Sequence, residues 1–159
     1  MKMKCLLFAC ISLVLAGCMT STPTRYYLLE VEKPTTKASF ALRKLELAAY
    51  LDQNSLIRRC DGKRIEYIEG HSWATSLRTM IEDCLKEALD ANAKQSISLK
   101  IRRFEAADDG RFHVKVEYIE GSNSGDITFE LPCNASNPTA IAATANKALE
   151  ELLKRLTTL

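Results

Sequence analysis

The fold the sequence predicts is α+β: an antiparallel β-sheet with two amphipathic helices packed on one face, in the order β-β-β-β-α-β-β-β-α. Three observations point to it. Apolar and polar residues alternate through Ile97-Leu99-Ile101, through Phe112-Val114-Val116-Tyr118 and through Ile127-Phe129-Leu131, so each segment buries one face. Two other stretches place apolar residues at helical spacing. The connections between strands are brief, as Asp61-Gly62, Asp109-Gly110 and the loop Gly121–Gly125 show, and brief turns join antiparallel neighbours.

The chain begins with a basic head, Lys2 and Lys4, then an apolar run from Cys5 to Leu15 broken by Ser12. Such a head, an apolar stretch of that length and small residues after it form a secretory leader, too short to span a bilayer comfortably. Leu15-Ala16-Gly17-Cys18 resembles the bacterial lipobox. That resemblance implies cleavage between Gly17 and Cys18, a diacylglycerol thioether on the Cys18 sulfur and an acyl chain (palmitate or similar) on the new amino group. Two or more chains bury enough CH₂ groups, at about 0.8 kcal/mol each, to make attachment effectively permanent. Met19 stands where an Asp commonly marks inner-membrane retention, which implies the outer membrane. Residues 1–17 thus read as a lipoprotein signal peptide, 18–25 as a lipidated tether and 26–159 as one periplasmic domain. From Met19 to Arg25 the tether reaches at most roughly 24 Å, which keeps the domain close to its membrane.

The elements follow in order. Tyr26–Val31 reads as a first strand, Pro34–Lys37 as a break and Phe40–Leu51 as a second strand, whose apolar positions change parity between Leu42 and Leu45 as at a bulge. Ser55–Cys60 and Arg64–Ile68 flank Asp61-Gly62 as a hairpin. Ser72 is the expected N-cap of a helix along Trp73, Leu77, Met80, Ile81, Cys84, Ala88 and Leu89, with Asn92 as its stop. After the three alternating strands, Asn137-Pro138 opens the last helix, with Ile141, Ala145, Leu149, Leu152 and Leu156 inward.

Charge and cysteine content narrow the function. The chain has 22 basic and 20 acidic residues, and the leader removes Lys2 and Lys4 but no acid, so the mature domain is balanced. A nucleic-acid binder would need a clustered positive surface; Arg58-Arg59, Lys63-Arg64 and Arg102-Arg103 read as solvated strand edges. Of six cysteines, Cys5 and Cys10 leave with the leader and Cys18 takes lipid. Of the remaining three, Cys84 belongs to a helix core face, while Cys60 and Cys133 at strand ends form a possible disulfide in an oxidising compartment. With no C-x-x-C pair, no metal site is expected, and no cofactor beyond the covalent lipid.

Leu47-Ala-Ala-Tyr50-Leu51-Asp52, Leu56-Ile57-Arg58-Arg59 and Tyr67-x-Glu69-x-His71-x-Trp73-Ala74, with Tyr26-Tyr27-Leu28 after the lipobox, resemble the signature of the ABC-type transport auxiliary lipoproteins, the PqiC-like proteins. The chain departs from that pattern where members carry Pro and this sequence has Ala48, near Asn54, and at Thr75-Ser76, where members carry Glu-Pro. The resemblance implies a docking subunit, without catalysis of its own, of an intermembrane system that moves phospholipids. Its expected partners are an MCE-domain protein of the inner membrane and an ABC permease. A lipid-carrying domain with an internal apolar cavity is the alternative.

No catalytic constellation is visible. His71 follows Glu69 by two residues, as a base follows its orienting acid, but a hydrogen bond at a strand or helix end explains it equally. His113 falls on the polar face of a strand and is expected to be exposed. Tyr50, Leu51 and Asp52 at a sheet corner are possible partner contacts, since loops at sheet ends often are. The strand edges 26–31 and 112–118 leave a homo-oligomer open.

Overall fold

The structure is a computed structural model and describes residues 23–32 and 38–159. The leader, the cleavage site Gly17-Cys18, the lipidation site Cys18 and Met19 lie outside the described residues.

Among the described residues, seven strands and two helices follow the expected order: β1 (Arg25–Tyr27), β2 (Phe40–Leu47), β3 (Ser55–Cys60), β4 (Arg64–Trp73), α1 (Leu77–Ala88), β5 (Gln95–Ala107), β6 (Arg111–Glu120), β7 (Asn123–Pro132) and α2 (Pro138–Leu156). The sheet runs β1-β4-β3-β5-β6-β7, and β2 also pairs with β5. At 13 residues, β5 is long enough for two partners on one edge. Its first half pairs with β2, Phe40 opposite Gln95 to Leu47 opposite Ile101, and its end pairs with β3 at Ala106 and Ala107. The bulge expected in β2 is present, as a register shift between Leu42 and Lys44.

The sheet is mixed. The strands joined by tight turns (β3–β4, β5–β6, β6–β7) are antiparallel. The pairs β1–β4, β2–β5 and β3–β5 are parallel. Their connections are long, and the one from β3 to β5 runs through β4 and α1, the kind of crossover a parallel pair requires.

The first helix starts later than the spacing suggests. Trp73 closes β4, opposite Tyr27 of β1, and its backbone N–H donates to the Asn54 carbonyl. Ser76, rather than Ser72, is the N-cap, its hydroxyl accepting from the Thr79 N–H at 3.2 Å. The helix ends at Ala88, ahead of Asn92. At the last helix the expectation holds: the Asn137 side chain accepts from the N–H groups of Thr139 and Ala140, and Pro138 occupies the first turn. At the β3–β4 turn both Asp61 (φ 52°) and Gly62 (φ 66°) adopt the left-handed conformation that an Asp-Gly turn tolerates.

The helices pack on each other and on the sheet, enclosing Leu56, Ile81, Leu85, Ile97, Leu99, Ile101, Phe112, Ile141, Leu149, Leu152 and Leu156. A core pocket lined by Leu56, Trp73, Leu77, Phe104, Phe112 and Ile141 measures only about 10 Å³, about the space of a single water.

Candidate functional site

The corner after β2 turns tightly and is pinned at each step. The Ala48 N–H donates to the Ile101 carbonyl, the Leu51 N–H to the Ala48 carbonyl and the Gln53 N–H to the Leu51 carbonyl. Leu51 is 1% exposed and belongs to the core, so its side chain offers no surface contact. Asp52 accepts both arms of the Arg78 fork, Nε to Oδ1 at 2.9 Å and Nη2 to Oδ2 at 2.6 Å, while Nη1 of Arg78 donates to the Leu45 carbonyl. This bidentate pair ties the corner to α1, and the Arg78 hydrogen bond holds the Asp52 carboxyl below the usual carboxylate range.

Tyr50 leans over a carboxylate that the sequence pattern does not single out. Glu105 lies on the side of β5 opposite Phe104 and Ala106, yet it is 1% exposed. It accepts from Arg59 Nε at 2.8 Å, from Arg103 Nε at 2.9 Å and from the Phe104 N–H at 2.9 Å. The Tyr50 hydroxyl sits 3.0 Å from Glu105 Oε2 and 2.9 Å from the Arg102 carbonyl, and it accepts from Arg59 Nη2 at 3.2 Å. The Arg59 guanidinium also covers the Tyr50 ring at 5.5 Å. Burial, and then the neighbouring Glu105 charge, push the Tyr50 hydroxyl up to about 12. A charge this deep persists because its lone pairs are satisfied and two guanidiniums balance it. Arg58-Arg59 and Arg102-Arg103 are thus paired: Arg58 with Glu66, Arg102 with Glu117, and Arg59 and Arg103 with Glu105.

The histidines are structural partners. Tyr27 Oη lies 2.8 Å from His71 Nδ1, with the rings stacked at 5.8 Å, so His71 joins β4 to the first strand. His113 is 8% exposed, contrary to its place on a polar strand face, because two carboxylates close over it. Asp109 Oδ2 approaches Nε2 at 2.8 Å and Glu130 Oε1 approaches Nδ1 at 3.0 Å. Asp109 comes from the turn before β6, and Glu130 stands directly opposite His113 on β7.

Cys60, Cys84 and Cys133 are free and buried. Cys60 and Cys133 line one polar cleft of about 380 Å³ together with Arg58, Asp61, Arg64 and Asp108. Their sulfurs bond elsewhere, Cys60 to Glu66 Oε2 at 3.4 Å and Cys133 towards the Ala140 carbonyl at 4.0 Å. Burial pushes the thiols of Cys84 and Cys133 up, away from the reactive thiolate. Among the described residues, no group of three His, Cys, Asp or Glu is placed to hold a metal, and no helix is long and apolar enough to cross a membrane.

Fold and site together define a small α+β scaffold whose buried polar groups brace its own corners. A family model, the ABC-type transport auxiliary lipoprotein component, matches residues 27–157, and the chain belongs to that family. Its members are lipoproteins of ABC-type transport systems, which makes this chain a membrane-associated transport component. Two crystal structures share the fold. One, of an uncharacterized protein, has a TM-score of 0.67 at 10% identity and covers 86% of this chain and 98% of its own. The other, protein XCC0632 from Xanthomonas campestris, of the DUF330 family, has a TM-score of 0.62 at 18% identity and covers 84% of this chain and 91% of its own. No curated protein matches.

Proposed function

We propose that the chain is the non-catalytic docking subunit of an MCE/ABC-type intermembrane phospholipid transport system. It is held at the outer membrane, facing the periplasm, by diacylglycerol and an N-acyl chain on Cys18. The observation that carries this reading is the family match over residues 27–157. Two further features support it. With a radius of gyration of about 14 Å and a tether of seven residues, the domain is too small to cross the periplasm, so transport needs a partner arriving from the inner membrane. The polar groups of the corner are engaged with one another, which suits a rigid dock better than a reacting site. The alternative, a lipid carrier, needs an apolar cavity, and a core pocket of about 10 Å³ is far below what an acyl chain fills.

The test is cross-linking in native envelopes, followed by purification of this chain and identification of what is joined to it. An inner-membrane MCE-domain protein or its permease is the expected adduct. Recovery of stoichiometric phospholipid inside the domain, with neither protein attached, would favour the carrier.

A further inference from the structure

The edge strand next to the tether and the residue after it carry an exposed apolar pair. Along 25–30 the side chains alternate: Tyr27 and Leu29 turn towards the helices, with Leu29 in the core, while Tyr26 and Leu28 face solvent. Tyr26 is 68% exposed, the largest value among the exposed large hydrophobics, and Leu28 is 54% exposed. The segment lies along α2, since Tyr27 Oη approaches Thr139 Oγ1 at 3.5 Å and the Glu30 N–H donates to Asn146 Oδ1 at 3.0 Å. Arg25 precedes the pair at the tether end of the strand, whereas Glu30, and Lys147 next to its partner Asn146, lie at the far end.

We propose that Tyr26 and Leu28, at the tether end of this edge, rest at the headgroup boundary of the phospholipid leaflet to which Cys18 is attached. The inference rests on the lipoprotein reading above. Seven residues lie between Cys18 and Tyr26, and the eight steps reach at most roughly 27 Å, so this edge is held near the leaflet. Tyrosine suits that boundary because its ring is apolar and its hydroxyl polar. A second contact of this kind fixes which way the domain faces, which lipid chains at the end of a tether cannot do alone.

The experiment uses the lipidated chain purified from envelopes and placed in vesicles of phosphatidylethanolamine and phosphatidylglycerol with acyl-brominated lipid. Tyr26→Trp adds one emitter at the proposed contact, while the native Trp73, 4% exposed, is a constant internal reference. Ile119→Trp is the control, exposed on β6 and four strands from β1, at least about 19 Å across the sheet. Bromolipid is expected to quench the emission added by Tyr26→Trp about two-fold and that added by Ile119→Trp little, as befits an interfacial aromatic. Equal quenching at both sites, or none at the first, overturns the contact while vesicle attachment shows the anchor intact. Protection of the first site only by an added protein fraction also overturns it. Absence of lipid on Cys18, read from the intact mass, removes the anchor and this inference together.

Discussion

Nε of Arg59 donates to Oε1 of Glu105 across 2.8 Å, and the Glu105 side chain has no exposure to solvent. This pair joins β3 to β5 beneath the Tyr50 corner. Arg59→Ala leaves the carboxylate buried with Arg103, Tyr50 and a backbone N–H as its remaining partners, and is expected to cost about 3 kcal/mol. Replacing both residues, as Arg59→Met with Glu105→Leu, should recover most of that loss, because the buried charge is gone and Arg103, one-third exposed, can turn to solvent. Urea unfolding midpoints of the two variants check both statements.

Tyr50 gives the corner an alkaline limit. Its hydroxyl is raised to about 12 in the folded chain, against about 10 when unfolded. The folded state therefore holds this proton more tightly. The stabilisation is complete below about pH 10 and is lost as pH rises through about 12. The phenolate absorbance of Tyr50→Phe, subtracted from that of the parent, should show one tyrosine titrating late and together with unfolding.

Asp52 supplies the opposite limit. Its hydrogen bonds to Arg78 depress its carboxyl in the folded state, so its contribution is present above about pH 4 and is lost as pH falls below that. Both side chains are about one-third exposed, and Asp52→Asn is expected to cost no more than about 1 kcal/mol at neutral pH. That loss should vanish at low pH, where the parent carboxyl is itself protonated. Thermal melts of parent and variant across the acid range measure it.

The thiols offer a chemical check. With Cys60, Cys84 and Cys133 free and buried, their alkylation in the folded domain should be slow, and unfolding should release all three to the reagent. A peptide linking Cys60 to Cys133 in non-reduced digests would show instead that the shared cleft closes on oxidation.

Features set by local chemistry are legible in the amino-acid sequence. The bulge at Leu42–Lys44 shows there as a change of parity, and Asp61-Gly62 and Asn137-Pro138 carry their turn and cap in their own side chains. Features set by distant partners are not. Trp73 stands four residues before Leu77, a helical spacing, but the Asn54 carbonyl and β1 claim its backbone for the sheet. Alternation places Glu105 correctly on the polar side of β5 and cannot reveal that Tyr50, Arg59 and Arg103 cover it there. His113 is the same case, enclosed by a turn and by a neighbouring strand. Leu51 differs: it reads as the end of the second strand and a possible partner contact, but the strand ends at Leu47 and the folded corner turns its side chain into the core.

The central claim is that lipid on Cys18 holds this domain at a membrane, where a transport partner meets it. The most direct measurement follows the full chain and its Cys18→Ser variant through fractionation of cell envelopes, with intact masses taken from each fraction. The parent should sediment with outer membranes and carry the mass of a diacylglycerol and an acyl chain at residue 18, while the variant leaves the membrane fraction. A variant that sediments like the parent, or a parent without that added mass, would contradict the account.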